Sequence, residues 1–411
     1  MTISPRDAVI VAAARSPIGR AVKGSLVDLR PDDLAAQVVQ AAFDQVPQLD
    51  PATVEDLLLG CGEPYDEQGA NLARRVAVQL GLDGLPGTTI TRFCSSSLQT
   101  TRMALHAIKA GEGDVFVSAG VECVSRYADP QAGGAVPERW INPRFRDAIA
   151  RTERIAAGDE PWSDPREQGL LPDVYLGMGQ TAENVATLTG ITREEQDAFA
   201  VRSQQRAEAA NADGFFEREI VPVTLPDGRV VAADDCPRPG TTYERVAGLR
   251  PVFREGGTVT AGNACPLNDG AAALVVMSWE RAAQLGIEPL ARVVSTGVSG
   301  LSPEIMGLGP IEASRRALAL AGLTIDDVDL VEINEAFAVQ VLASARELGI
   351  DEEKLNVHGG AIALGHPFGM TGARIMATLI NGLQSEDKTI GLESMCVGGG
   401  QGMAMLIERL S

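Results

Sequence analysis

Histidine is scarce in this 411-residue sequence: only His106, His358 and His366 occur, so chemistry that needs an imidazole has few candidates. Cysteine is sparse and scattered. The six thiols, Cys61, Cys94, Cys123, Cys236, Cys265 and Cys396, include no CxxC pair. That argues against a structural zinc site and against the disulfide framework of a secreted protein, and reduced thiols in a cytoplasm are expected. Positive charge is in deficit. With 35 Lys and Arg against 55 Asp and Glu the formal net charge is -20. Such a field repels nucleic acid and anionic membranes, and no basic patch in the sequence supplies an exception. A long hydrophobic run is missing as well. The first apolar stretch, Ala8 to Ala14, is far too short to span a bilayer, and Arg6-Asp7 and Arg15-Ser16-Pro17 flank it as they would a strand. Neither a signal peptide nor a transmembrane helix is expected.

What is present suits a folded enzyme of two or three packed domains. Hydrophobic residues make up 45% and charged residues 22%, close to the average for soluble globular chains. Short apolar, β-branched runs alternate with helical patterns: residues 7–14, 54–62 and 115–119 read as strands, and residues 34–43 and 98–110 as helices. From 123 to 267 the texture is less regular, rich in Pro, Gly and charge, with one clear polar helix at 193–212. The alternation resumes at about 290, with strands at 291–296, 329–333 and 389–394 and helices at 314–321 and 370–383. An α/β fold with buried sheets follows. The two ends echo each other: VEDLLLGCG near 54 corresponds to DVDLVEINEAF near 327, and TRFCSSSLQTTRMALHAI to ALGHPFGMTGARIMATLI.

Cys94 precedes a helix whose apolar residues Leu98, Leu105 and Ile108 share one face. A thiol there meets free N–H groups and the positive end of the helix dipole, both of which favour thiolate. His366 lies in Gly365-His366-Pro367-Phe368-Gly369, a stiff turn that allows close backbone approach to a ligand and suits a base. Cys396 follows a strand and precedes Val397-Gly398-Gly399-Gly400. Those glycines are not a dinucleotide loop, because no βαβ unit of about 30 residues follows them. They offer instead exposed N–H groups near a sulfur, as an oxyanion hole for a thioester requires. Asn334-Glu335-Ala336-Phe337 ends a strand, where polar side chains reach a site at its carboxyl end; a turn-forming Asn and a surface Glu is the plainer reading.

Taken in order, AVIVAAARSPIGR, FCSSSLQ, MGQTAENVA, TVTAGNACPLNDGAAA, NEAFA, GGAIALGHPFGMTGARI and CVGGGQG resemble the thiolase family along nearly the whole chain. The resemblance implies duplicated α/β halves in a layered α/β/α/β/α core. Residues 1–122, completed by about 268–289, would form the N-terminal half, 290–411 the C-terminal half, and 123–267 an inserted, CoA-binding loop domain.

It also implies roles. Cys94 would be the acylated nucleophile, His366 its activator and Cys396 the second acid/base. Asn334 would hold a water that, with His366, binds the thioester oxygen of the enolate, and the N–H groups of Cys94 and Gly398 would form the other oxyanion hole. Arg238, Phe253 and Cys265 match CoA contacts, and Met178, Met306 and Phe337 match pocket walls. Coenzyme A enters as substrate, with no cofactor and no metal. A homodimer or homotetramer is expected, with a β-oxidation multienzyme complex as a possible partner. The sequence departs from the family pattern at Ser97, where Gly is common, and at Cys265, where Ser is common. A third departure is Gly177, where short-chain biosynthetic members carry His; with FCSSSLQ it favours CoA-dependent cleavage of 3-ketoacyl-CoA in fatty-acid β-oxidation over acetoacetyl-CoA synthesis. A ketoacyl-synthase-type condensing enzyme is disfavoured by the second cysteine at 396, and a non-catalytic acyl-CoA-binding subunit by retention of Cys94, His366, Cys396 and Asn334.

Overall fold

The computed structural model describes residues 3–127 and 138–411. In chain order its main elements are β1 (Ala8–Arg15), α1 (Pro31–Asp44), β2 (Asp56–Gly60), α2 (Leu72–Gln79), β3 (Gly87–Ile90), α3 (Ser96–Ala110) and β4 (Val115–Cys123). Then come α4 (Met178–Thr189), α5 (Arg193–Ala212), β5 (Asn268–Ser278), β6 (Ala291–Gly300), α6 (Gly309–Ala321), β7 (Leu330–Ile333), α7 (Ala338–Leu348), α8 (Thr371–Ser385), β8 (Ile390–Val397) and β9 (Gln401–Arg409). Local chemistry explains several boundaries. Pro31 opens α1 at a position where its missing N–H costs nothing. Thr192 and Glu195 form a reciprocal capping box that starts α5.

The strands form one hydrogen-bonded sheet in the order β7-β8-β9-β6-β1-β5-β4-β2-β3, with Gly19–Arg20 added on β5. The join at its middle is narrow: β1 and β6 pair only through Val9 with Arg292 and Ile10 with Ala291. The sheet therefore divides into two leaves, and each repeats one pattern. In the first leaf β1-β5-β4 run antiparallel and β4-β2 parallel; in the second β6-β9-β8 run antiparallel and β8-β7 parallel. The duplication read from the two ends of the sequence is thus a duplication of topology.

Three apolar cores fill the spaces. One packs α1 and α2 on the outer face of the first leaf through Leu34, Val38, Leu72 and Val76. Another covers the outer face of the second leaf with α6 and α7, joined by Val185 of α4 and Phe199 of α5. The middle core holds α3 and α8 between the leaves, with Leu98, Leu105, Met376 and Leu379 meeting Leu274 and Val276 on one side and Met403 and Met405 on the other. This is a five-layer α/β/α/β/α arrangement. Residues Thr371 to Leu383 of α8 are all buried, as a helix covered on every side must be. Strands β4 and β5 are likewise buried along their whole length, which is why VFVSAGVEC and NDGAAALVVMS do not alternate in polarity.

Among the described residues no helix is long and apolar enough to cross a membrane.

Candidate active site

The parallel strands deliver chemistry at their carboxyl ends, where ligands bind in open α/β sheets. Cys94 lies four residues beyond β3, Asn334 directly follows β7, and Cys396 is the penultimate residue of β8. The central helices α3 and α8 start at the same end, α3 next to Cys94 and α8 next to the His366 turn.

Cys94 occupies a 3-10 turn, Phe93–Ser95, that runs straight into α3. Phe93 has φ +43°, a left-handed conformation that is strained for an aromatic residue. Two N–H groups favour the Cys94 thiolate, its own and that of Gly398 in the β8–β9 hairpin. Gly398 is held there by a relay: Arg92 Nη1 donates to Gln401 Oε1 (2.9 Å), and Gln401 Nε2 donates to the Gly398 carbonyl (3.3 Å). Burial nevertheless dominates, pushing the Cys94 thiol up to about 12. The helix-start position does not by itself make a thiolate, and the resting group is the thiol.

His366 is also buried, and burial together with the nearby Arg374 charge pushes it down to about 3. It is therefore neutral. Its tautomer follows from its partners. Thr371 Oγ1, 2.7 Å from Nδ1, gives its single hydrogen to the Pro367 carbonyl (2.7 Å), so Nδ1 must be the donor. Asn334 Nδ2 donates to Nε2 at 3.3 Å. The lone pair is thus on Nε2, the nitrogen facing Asn334. Asn334 Oδ1 is buried and has no hydrogen-bonding partner among the described residues.

Cys396 is fully buried, and its thiol is pushed well above the usual range, first by desolvation and then by the neighbouring Cys94 and Cys265. Cys265, whose N–H donates to the Ala336 carbonyl (3.1 Å), is raised by burial and by Cys94. The three thiols therefore form one group. This leaves Cys265, read from the sequence as a CoA contact, beside the Cys94 and Cys396 sulfurs.

The remaining sequence candidates divide. Phe253 is 38% exposed and packs edge-on against buried Phe337, with ring centroids 6.0 Å apart. Met178 begins α4, and Met306 is buried. Arg238 stands exposed on a loop, its N–H donating to Gln204 Oε1 (3.0 Å); no hydrogen bond or ring contact among the described residues joins it to Phe253. Glu335 is not the surface residue its motif allowed. It is buried, accepting from Ser203 Oγ (2.6 Å), Asn356 Nδ2 (2.9 Å) and the Ile362 N–H (3.1 Å), and so organises the segment before His366. Ser97 has a definite task too: its Oγ accepts the Ala373 N–H of α8 (2.9 Å).

Sequence reading missed the groups that hold the His366 turn. Besides Thr371, Asn268 Oδ1 accepts the His366 N–H (2.9 Å), and Glu122 Oε2 accepts the Gly369 N–H (2.8 Å). The signal for Glu122 was an acid inside an otherwise apolar strand. Among the described residues no group of three or more His, Cys, Asp or Glu side chains could hold a metal ion.

Chemically, a thiol beside two N–H donors and a second thiol, with a neutral imidazole at the same end of the sheet, can form, stabilise and release a thioester. Comparison with known proteins points the same way. Residues 8–280 match the family model for the N-terminal domain of thiolase, and residues 287–409 that for its C-terminal domain. The chain is 43% identical to a 3-ketoacyl-CoA thiolase of Chromohalobacter salexigens, over 100% of both chains. It is 42% identical to an acetyl-CoA acetyltransferase of Escherichia coli, over 99% of this chain and 100% of that one. The dimeric peroxisomal thiolase of Saccharomyces cerevisiae superimposes with a TM-score of 0.87 at 34% identity, covering 100% of this chain and 99% of that one.

Proposed function

The chain belongs to the thiolase family and is an acyltransferase, and from that membership we propose that it cleaves 3-ketoacyl-CoA with CoA through an acyl-Cys94 intermediate. The grouping of Cys94 with the Gly398 N–H and Cys396, with a neutral His366 at the same end of the sheet, carries this reading. In the proposed sequence His366 Nε2 takes the Cys94 proton as the sulfur adds to the 3-keto carbon. The C2–C3 bond breaks, and its electron pair remains on the acetyl-CoA fragment as an enolate. The Cys396 thiol protonates C2, so acetyl-CoA leaves and Cys396 becomes thiolate. An incoming CoA thiol gives its proton to Cys396 and attacks the acyl-Cys94 thioester; the shortened acyl-CoA departs, and the Cys94 sulfur regains its proton from His366.

The N–H groups of Cys94 and Gly398 stabilise the oxyanion of the acyl-enzyme steps. Asn334 Oδ1, buried without a protein partner, suits a water that serves the enolate oxygen with His366. The segment 123–267 takes the CoA, with Arg238 for phosphate and Phe253 for the adenine or pantetheine, so that local groups offset the charge of -20. Met178, Met306 and Phe337 wall the acyl pocket. Gly177, exposed just before α4 where a His would mark short-chain synthesis, favours the degradative direction in β-oxidation. A homodimer or dimer of dimers in the cytoplasm completes the reading.

Mass spectrometry after incubation with acetyl-CoA or a 3-ketoacyl-CoA should find the acyl adduct on the Cys94 peptide. A label confined to Cys265 or Cys123 overturns the assignment. Thiolysis rates over a ladder of 3-ketoacyl chain lengths then define the substrate.

A further inference from the structure

Glu122 is an ionisable side chain buried at the active-site end of β4, and the reaction steps above make no use of it. Among the described residues no cation pairs with it. Instead, donors converge on both oxygens. Oε2 accepts the N–H of Gly62 (2.7 Å) and that of Gly369 (2.8 Å). Oε1 accepts from Gln68 Nε2 (2.7 Å), Tyr127 Oη (2.7 Å) and the Glu63 N–H (3.3 Å). A buried carboxylate surrounded in this way is held in one place, because any displacement strands several donors at once.

What it holds matters more than how it is held. Gly369 ends the turn that carries His366, and Gly62 belongs to the turn after β2. These two turns are in direct backbone contact: a Cβ on Gly369 would lie 2.8 Å from the Cys61 Cα and 2.8 Å from the Gly60 carbonyl oxygen. The other flank of the same segment meets the nucleophile turn, since a Cβ on Gly60 would lie 2.5 Å from the backbone of Ser96 and Ser97. Residues 60–62 are therefore a wedge between the turn bearing Cys94 and the turn bearing His366. One oxygen of Glu122 ties that wedge to the His366 turn.

We propose that Glu122 is a positioning residue for acyl transfer, fixing the His366 turn against the Cys94 turn through the Gly62 and Gly369 N–H groups. The proposal rests on the roles assigned to Cys94 and His366. It explains why an acid lies in a strand otherwise buried among apolar groups: the base stands on the second half of the chain, the nucleophile on the first, and the carboxylate spans the join. Asn268, from β5, grips the other end of the same turn at the His366 N–H.

The test is Glu122→Gln, which preserves shape but turns a donor toward donors. Expected is a fall of about 100-fold in kcat for acetoacetyl-CoA thiolysis, the scale of a misplacement near 1 Å, with KM for CoA changed by less than about threefold. Acylation of Cys94 by acetyl-CoA should slow in parallel. Tyr127→Phe removes one donor from Oε1, not from the oxygen that accepts the Gly62 and Gly369 N–H groups, so it should lower Tm and keep kcat within about threefold. Should Glu122→Gln not fold, Glu122→Asp takes its place: it keeps the charge, shortens the reach and should lower kcat about tenfold. Wild-type kcat in whichever acid variant folds, or loss of kcat in step with Tm across the acid variant and Tyr127→Phe, overturns the proposal. His366→Ala run alongside separates the two levels. If it acylates normally, the assignment of the base fails and this inference with it; if it does not and the Glu122 variant does, only the role of Glu122 fails.

Discussion

Thr371 holds His366 in one tautomer: its hydroxyl lies 2.7 Å from Nδ1 and spends its only hydrogen on the Pro367 carbonyl. The imidazole must donate from Nδ1 and keep Nε2 free to accept. Replacing Thr371 by the isosteric Val removes the acceptor while leaving the packing in place. The unmatched buried N–H should cost about 1–3 kcal/mol of stability. The other tautomer then competes, and acylation of Cys94 should slow by about 10- to 100-fold. Stopped-flow acylation with acetyl-CoA reads this directly. Unchanged acylation would mean that the tautomer is set elsewhere.

The two shifted groups also fix how reactivity depends on pH. Cys94 is raised by burial to about 12 and His366 lowered to about 3, so between these values the free site holds a thiol and a neutral imidazole. The thiolate fraction therefore grows about tenfold per pH unit while the pH stays below the thiol's pKa. Iodoacetamide alkylation of Cys94 should rise steadily through pH 9 without levelling off, and bound substrate should protect the residue. A plateau reached near pH 7 would instead indicate a preformed thiolate–imidazolium pair.

Much of this arrangement was legible in the sequence because its elements obey local rules. The polar helix read at 193–212 matches α5 at both ends, and the apolar runs marked β1, β2, β4, β7 and β8 to within a few residues. The chemistry was legible for a similar reason: His366 sits in a turn announced by its glycines and proline, Cys396 precedes a run of glycines, Cys94 stands just before a helix and Asn334 just after a strand. The supporting groups were not. Asn268-Asp269-Gly270 is a turn sequence by local chemistry, yet it opens strand β5, because its neighbours β1 and β4 supply the ladder. Glu122 owes its importance to contacts with Gly62 and Gly369 that only the fold brings near, and Thr371, though only five residues from His366, carries no motif that marks it as the imidazole's partner. The direction of the Cys94 shift was missed for the same reason. Helix-start geometry is local, whereas burial is a property of the whole five-layer body.

Ser97 offers a test of how the two central helices are coupled. The Ala373 N–H it accepts is the third of α8, one of the first-turn donors that a helix cannot satisfy internally. A side chain of α3 thus caps α8 across the middle layer. Ser97→Ala should lower stability by about 1 kcal/mol, the usual worth of a cap. Ser97→Gly should cost about 1 kcal/mol more, because glycine near the start of a buried helix adds a conformational penalty. Denaturant unfolding measures both. No loss for Ser97→Ala would mean that the Ala373 N–H finds another acceptor.

The proposed division of labour between Cys396 and His366 is the most demanding of these expectations, since it concerns the order of events and not the family. Both groups are buried and both are uncharged at rest; Cys396 neighbours the Cys94 sulfur, and His366 stands in the turn before α8 at the same end of the sheet. If Cys396 exchanges protons with C2 of the acetyl group and with CoA, then Cys396→Ser places a far weaker acid there. Acylation of Cys94 by acetyl-CoA should survive in that variant. Exchange of the acetyl-CoA methyl protons into deuterated water should disappear, and turnover should fall by about 100-fold or more, as expected when a general acid is lost. His366→Ala should do the reverse at the first step. With no base to accept the thiol proton, and a thiol raised to about 12, acylation itself should fall by a similar factor. Mass spectrometry of the Cys94 peptide and proton exchange followed by NMR read the two steps separately. A Cys396→Ser enzyme that exchanges protons but does not acylate would show that the two roles are assigned the wrong way round.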